Sequence, residues 1–466
     1  MKSTDGYSTT THRTVISFRI LLLLVVLVTA CFRVTTNPLL AWDSTLGEND
    51  CNDIHAFSDL PDHCADVPPI QANEFEQRQN NLAKALHDLN ASAYITEPGA
   101  SGIYFANVSS TQWHLSERPL LFVFIPEAAG KESVRMKLTI LAPKFEQTRA
   151  KLLPVPFDNI EYIVWPEEQS PYEVLINATN LSEGNIYVDA GTRYFIVDGL
   201  QKAYKNGEVS IAPSEVAELR ERKSANEIAL MKCANEQSVD SFKATLLALR
   251  GVHKKMHVGM RESEARNMMA SALEAVGLEE GSCLTLFGEN AALPHGSGTD
   301  KVLSKYSFAL FDCTGSLHGY KSDLTRTVAL PDSEIRTEHL VIWHRVRNAQ
   351  NAALAQAREG AVAKTVDEIA RKSLSILELD QYFTHRLGHG IGLEVHETPY
   401  LNGGSEVVLE TGHCFSDEPG VYIEEQVTQV RQVGVRLEDC FCIGENGKAF
   451  LLTQDVGGQA SDPWNP

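Results

Sequence analysis

Apolar and polar positions change rhythm several times along this chain, and the changes divide it. From about residue 70, the apolar residues of Phe75 to Leu89 recur at helical spacing, and Ser92 to Thr96 then reads as a strand. Leu120 to Ile125 is a continuous apolar run between Pro119 and Pro126, the pattern of a buried strand. Asn185 to Asp189 puts Ile186 and Val188 on one strand face. Strands alternating with helical stretches predict an α/β domain over 70–215. A second unit is predicted over 216–453. Its residues Ile228, Met231, Val239, Phe242, Leu246 and Leu249 predict one long amphipathic helix that stops by Gly251. Glu262 to Val276 predicts a second helix ended by Gly277, and Glu338 to Arg358 another. Ser307 to Asp312 reads as a strand with Asp312 at its end. Thr325 to Leu330 reads as its neighbour, with Gly315 and Gly319 letting the chain reverse between them. Residues 454–466 read as a loose tail.

The N-terminal pattern is different. Ile20 to Phe32 is uncharged and apolar, with Arg13 and Arg19 before it and Arg33 after. Such a run is short for a spanning helix and typical of a signal-peptide core. Residues 1–35 are therefore expected to be a signal peptide or a retained signal anchor. The protein is expected in the secretory pathway, extracellular or held by a single membrane pass, with membrane contact only through this segment. Residues 36–69, rich in Pro, Asp, Asn and Thr, read as a linker. Sequons at Asn90, Asn107, Asn177 and Asn180 agree with a glycoprotein, and Cys51 and Cys64 are placed to form a disulfide. Cys233, Cys283, Cys313, Cys414, Cys440 and Cys442 show no CxxC spacing, and most of them read as small buried hydrophobes rather than zinc ligands.

Composition narrows the function classes. At 466 residues the chain exceeds one hydrophobic core. A net charge of −20, from 41 basic against 61 acidic residues, argues against a nucleic-acid-binding surface, which needs clustered Lys and Arg.

Chemistry concentrates in four segments: FDCTGSLHGYKSDLTRT (311–327), HRLGHGIGLEVHETPY (385–400), SDEPGVY (416–422) and GVRLEDC (434–440). They carry Asp312, Asp323, His389, Glu418 and Glu438. Four carboxylates and one imidazole suit two adjacent, fairly hard divalent cations, and their charges balance. Without cations, the carboxylates could not all stay ionised at close range. Asp312 and Asp323 lie on strands read as neighbours, so their carboxylates can approach. Gly388, Gly390 and Gly392 allow close backbone approach around His389, with His385 and His396 nearby. Arg436 alternates with Glu438 and could orient a metal-bound carboxylate from outside. The donor set suits Mn²⁺, with Co²⁺, Zn²⁺ or Fe²⁺ as alternatives.

These segments resemble the pita-bread metallopeptidases, in the branch of Xaa-Pro aminopeptidases and prolidases. HRLGHGIGLEVHE followed by PYL, DLTRT, EPGVY and GVRLED carry the likeness. The resemblance implies an α+β fold: a pita-bread catalytic domain preceded by an α/β, creatinase-like N-terminal domain. It implies that Asp312 binds one metal, Asp323 and Glu438 bridge both, and His389 and Glu418 complete one shell. A water or hydroxide between the ions would be the nucleophile, with Glu418 as proton shuttle. His295, in LPHGSG, would hold substrate and steady the leaving nitrogen. His396 would sit near the scissile carbonyl, His385 would line the substrate pocket, and Arg436 would be a supporting donor. The implied substrates are peptides with proline second, and a homodimer is expected by analogy. An aminopeptidase is favoured because a secreted protein would meet peptides. The alternatives are an Xaa-Pro dipeptidase, or a non-peptidase or catalytically inactive binding member of the fold. Asp417 stands where many members have an apolar residue, and Cys313 where Ala is common.

Overall fold

The computed structural model describes residues 67–129, 133–235, 245–296, 298–427 and 430–466. The signal or anchor segment, nearly all of the linker, and Cys51 and Cys64 lie outside the described residues. The first described helix, α1 (Ala72–Asp88), buries Phe75, Leu82 and Leu86, the stripe that its helical spacing predicts. It packs on a six-stranded mixed sheet ordered β4-β3-β2-β1-β5-β6. These strands are β1 (Ala91–Thr96), β2 (Leu121–Ala128), β3 (Val134–Pro143), β4 (Ile160–Trp165), β5 (Asn185–Val188) and β6 (Val209–Ile211). The apolar run at 120–125 does form a central strand, but β2 continues through Pro126, which pairs with Met136. Helices α2 (Ala100–Ala106), α3 (Pro171–Thr179), α4 (Tyr194–Ala203) and α5 (Ser214–Glu221) complete this part.

Three of the four sequon asparagines have a backbone explanation. Asn90 follows α1, Asn107 caps α2 and Asn180 caps α3, with φ of 50°, 56° and 45°. Asparagine tolerates this left-handed conformation better than most residues, so it is a favoured helix terminator after glycine.

In the C-terminal part the stretch predicted as one long helix is described as α6 (Ala225–Asn235) and α7 (Thr245–Lys255), with Val239 and Phe242 outside the described residues, and α7 runs through Gly251 rather than stopping there. Thr245 Oγ1 donates to the Ala234 carbonyl at 2.9 Å, a contact that one continuous helix would not allow. Tertiary burial of Leu246, Leu249 and Val252 outweighs the modest helix penalty of one glycine. Helix α8 (Glu262–Ala275) ends as expected. The next three strands, β7 (Glu279–Phe287), β8 (Ala309–Leu317) and β9 (Tyr320–Val328), form an antiparallel sheet. Asp312 is therefore mid-strand, not at a strand end. The reversal is at His318-Gly319, with φ of 48° and 88°, while Gly315 stays within β8. Two successive positive φ values suit the tight hairpin turn that joins twisted strands.

Two further helices, α9 (Thr337–Gln356) and α10 (Ala363–Ser375), pack on each other. They precede a five-stranded sheet ordered β11-β10-β12-β15-β16, where β10 is Gly388–Gly390, β11 Glu397–Leu401, β12 Cys414–Asp417, β15 Asp439–Ile443 and β16 Ala449–Leu451. Between β12 and β15, the chain makes the hairpin β13 (Gly420–Ile423) and β14 (Val433–Arg436). The mixed fold is the pita-bread architecture expected.

Two expectations fail here. The C-terminal tail is docked, not loose. Arg250 donates to the carbonyls of Val456 and Pro466, Arg326 to that of Gly458 and Arg347 to that of Ala460. The cysteines are not simply small hydrophobes either. Cys283–Cys313 and Cys414–Cys442 are disulfides between directly opposed strand positions. Cys233 is also disulfide-bonded, and among the described residues Cys440 is the free, buried thiol. Spacing along the chain hid these pairs because strand register, not sequence proximity, brings them together.

Candidate metal centre

The hairpin β8–β9 sets the first two carboxylates. Asp312 is opposite Thr325, and Thr314 is opposite Asp323, so both aspartates lie diagonally on one sheet face. Strand β10 brings His389 to the same place. That strand lies so close to its neighbours that a Cβ on Gly388 would sit 2.0 Å from the Ser416 carbonyl oxygen. One on Gly390 would sit 2.6 Å from those of Glu397 and Thr398. The glycines around His389 thus serve strand packing. Glu418 leaves the end of β12 and Glu438 lies between β14 and β15, so both enter from strand ends.

The five residues converge. Asp312, Asp323 and Glu438 each offer a donor atom within 4.8 Å of the others, and so do His389, Glu418 and Glu438. His389 Nε2 is 3.2 Å from Glu418 Oε1 and 3.5 Å from Asp323 Oδ2. His389 Nδ1 lies 3.1 Å from the Gly390 carbonyl, so it carries the proton and leaves Nε2 as the ligand atom. Burial, reinforced by the neighbouring carboxylates, raises Asp323 well above the usual range, Glu418 to about 7 and Glu438 to about 8. Such a cluster is held ionised by added positive charge. Four oxygen donors and one free imidazole nitrogen fit two divalent ions of the Mn²⁺, Fe²⁺, Co²⁺ or Zn²⁺ kind.

A supporting layer fixes these side chains. Arg436 Nη2 donates to Asp312 Oδ2 at 2.6 Å, and its Nε donates to Thr325 Oγ1 at 3.1 Å. Thr325 in turn donates to Glu438 Oε2 at 2.6 Å. Ser416 donates to Glu418 Oε1 at 3.3 Å and accepts from the His389 backbone N–H. Behind this layer, the fully buried Arg326 pairs with Asp439 and donates to the Glu438 carbonyl at 2.7 Å. The motif reading missed Thr325, Tyr422 and Arg326. Thr325 was accessible in principle, because it lies two residues beyond Asp323 on the same strand face.

The remaining predicted residues surround the cluster. Tyr422 accepts from Arg436 Nη1 at 2.9 Å and lies 2.8 Å from His385 Nε2, while His385 Nδ1 faces the Arg386 carbonyl at 2.8 Å. Burial pushes His385 down to about 4, so it is neutral, donating from Nδ1 and accepting from Tyr422. His396 packs edge-on against His389 at 4.3 Å and is likewise pushed down to about 4, by burial first and then by His389. His295 is near enough to lower both His385 and His396. The structure thus brings all nine predicted residues together.

A buried cluster of four carboxylates and a tautomer-fixed histidine, within a pita-bread fold, defines a class of divalent-metal hydrolases. Residues 229–445 match the model of metallopeptidase family M24. The chain is 37% identical to an uncharacterized peptidase of Schizosaccharomyces pombe over 414 residues, 86% of each protein. It is 30% identical to an Xaa-Pro dipeptidase of Pyrococcus furiosus, covering 67% of this chain and 84% of the relative. A crystal structure of dipeptidase PepE from Mycobacterium ulcerans superposes with a TM-score of 0.70 at 25% identity, covering 83% of this chain and 97% of that one. The chain belongs to metallopeptidase family M24.

The expected secretory localisation is corrected. Among the described residues, no helix is long and apolar enough to cross a membrane. The relatives aligned over most of the chain are a fission-yeast peptidase and an archaeal Xaa-Pro dipeptidase. The apolar run that motivated the expectation lies outside the described residues.

Proposed function

We propose that this chain hydrolyses the bond preceding proline in short peptides, with Xaa-Pro dipeptides as its main substrates. The observation that carries the reading is the convergence of Asp312, Asp323, His389, Glu418 and Glu438 on one buried spot. The preference for a longer-peptide aminopeptidase rested on a secreted peptide supply, and that ground has lapsed. The relative that carries a named substrate class, 30% identical over 315 residues, is an Xaa-Pro dipeptidase.

Asp312, Asp323, His389, Glu418 and Glu438 would hold two divalent ions, which supply Lewis acidity and an activated water when bound. Thr325 and Arg436 hold the Glu438 and Asp312 carboxylates in place, so these side chains need not reorganise during turnover. Glu418, one edge of which faces His385 at 4.0 Å, is positioned to take a proton and hand it to the leaving nitrogen. His385, neutral and held through Tyr422 to Arg436, walls the pocket for the proline ring together with His295. An Xaa-Pro amide has no N–H, so the site binds it by ring shape and by the substrate's termini.

The test is turnover by the full chain, reconstituted separately with Mn²⁺, Co²⁺, Zn²⁺ and Fe²⁺. Substrates are Leu-Pro, Leu-Pro-Gly and Leu-Ala. Leu-Pro is expected to be cleaved fastest, and Asp323→Asn to lose at least about 10²-fold with folding retained. Faster cleavage of Leu-Pro-Gly would restore the aminopeptidase reading. Absence of cleavage of either proline peptide under every metal would end the proposal.

A further inference from the structure

A cavity of about 350 Å³ runs between the six-stranded sheet and the metal centre, with His396 as one wall. That size lies near the lower end for small-ligand sites, ~300–1,000 Å³. Its position relative to the reaction follows from what lies around the ligand cluster. His385, Tyr422 and Arg436 are linked by hydrogen bonds, with Arg436 on Asp312, whereas His396 packs on His389 and also walls the cavity. With the proline ring held at His385, as proposed above, the cavity beside His396 is the space open to the preceding residue.

The cavity has an apolar flank and an acidic one. Phe105, Ala212, Val216 and Ala217 supply the apolar surface. Asp189, Glu221, Glu394 and Glu397 supply carboxylates, against the single lining cation Arg220. Those charges do not all cancel. Lys223 pairs with Glu397 at 2.6 Å, and Arg220 pairs with Glu394. Asp189, at the end of β5, is held only by neutral donors: the Ser101 hydroxyl, the Tyr94 hydroxyl at 3.1 Å and the Gly191 N–H at 2.9 Å. Among the described residues, neither Asp189 nor Glu221 has a cation at ion-pair distance. Arg220 is already engaged by Ser101, Glu394 and Glu397 and is not free to meet an anionic ligand; its charge reaches Asp189 only across the shared Ser101 hydroxyl. Arg386 stacks over Tyr400, 4.4 Å from its ring centre, and does not line the cavity. An apolar wall ending in a carboxylate that no cation pairs with directly is the complement of a long aliphatic stem that ends in a cation.

We infer that this cavity receives the side chain of the residue preceding proline and selects a basic one, lysine or arginine, through Asp189. The inference rests on the reading of the chain as an Xaa-Pro peptidase and adds its side-chain preference. The experiment compares kcat/KM of the metal-loaded full chain for Lys-Pro, norleucyl-Pro and Glu-Pro, since norleucine matches the lysine stem without its charge. Lys-Pro is expected to exceed norleucyl-Pro by about tenfold, as one added ion pair allows, and Glu-Pro to fall below both. Asp189→Asn should bring the Lys-Pro to norleucyl-Pro ratio close to one. Glu221→Gln should lower it by a smaller factor, and serves if Asp189→Asn does not fold. A thermal-shift titration with lysinamide and norleucinamide reads the cavity without turnover. Preference for lysinamide, even with no Xaa-Pro peptide cleaved, would sustain the cavity assignment while removing the peptidase reading. Equal turnover of Lys-Pro and norleucyl-Pro, a ratio that neither variant changes, or equal stabilisation by the two amides would overturn it.

Discussion

Stripping the divalent ions from this protein should make its stability fall with rising pH in a window where the loaded protein holds steady. The cause is the carboxylate cluster. Burial first, and then the neighbouring acids, raise Glu438 from an ordinary 4.5 to about 8 and Glu418 from 4.5 to about 7. A folded-state value above the unfolded one means that the native state binds more protons. Stability is then complete below the unfolded value and is lost as pH climbs through the folded one. His385, His396 and His413 are depressed to about 4, so they act in the opposite sense, but only below their ordinary 6.5. The clean window is therefore pH 6.5 to 8.5. Raising the pH from 6.5 to 8 against Glu438 corresponds to roughly 2 kcal/mol, and Glu418 adds a fraction more, for a total of about 2–3 kcal/mol. In the loaded protein the ions take the place of those protons, and the slope disappears. Urea unfolding of stripped and reconstituted protein, at several pH values across the window, gives the comparison. Parallel pH dependences for the two forms would refute the reasoning, because the carboxylates would then not be sharing one uncompensated site.

Three other perturbations test the layers around the site. Thr325→Val removes the hydroxyl that links Arg436 to Glu438 and should weaken metal affinity by about 10–100-fold, read by competition with a chelating dye. Arg326→Ala leaves the fully buried Asp439 without its cation and unhooks the Glu438 and Gly458 carbonyls. A loss of about 3–5 kcal/mol in urea unfolding is expected, and less than about 1 kcal/mol would contradict the role given to that pair. Asn107→Gly should be close to neutral, whereas Asn107→Ala should lose on the order of 1–2 kcal/mol, because only the second forces a Cβ into φ of 56° without asparagine's tolerance. Equal thermal stability of those two variants would remove the capping explanation for the sequon.

How much of this was legible in the sequence depended on the range of the forces involved. Helices α1, α8 and α9 were visible because amphipathic spacing is local, and the residues that create the pattern are those that bury it. The donor set of the metal centre was visible for a different reason. Four acids and a histidine set among glycines and prolines are chemically unusual in a folded chain, whatever their final positions. The sequence could not set strand register. The offset of β8 against β9 moved Asp312 from a strand end to mid-strand, and placed it diagonal to Asp323 and opposite Thr325. Register also joined Cys283 to Cys313 and Cys414 to Cys442, residues that spacing treated as unrelated.

The sequence by itself determined the fold class, the helical periods and the identity of the five proposed ligands, because each is written in residue type or in contacts within a few turns. Only the tertiary structure decided what those residues touch. It set the Arg436–Thr325–Glu438 chain, the Arg326–Asp439 pair that ties the tail to the site, and the acidic cavity beside His396. These contacts join residues more than a hundred positions apart, and their energies depend on burial, which no local pattern encodes.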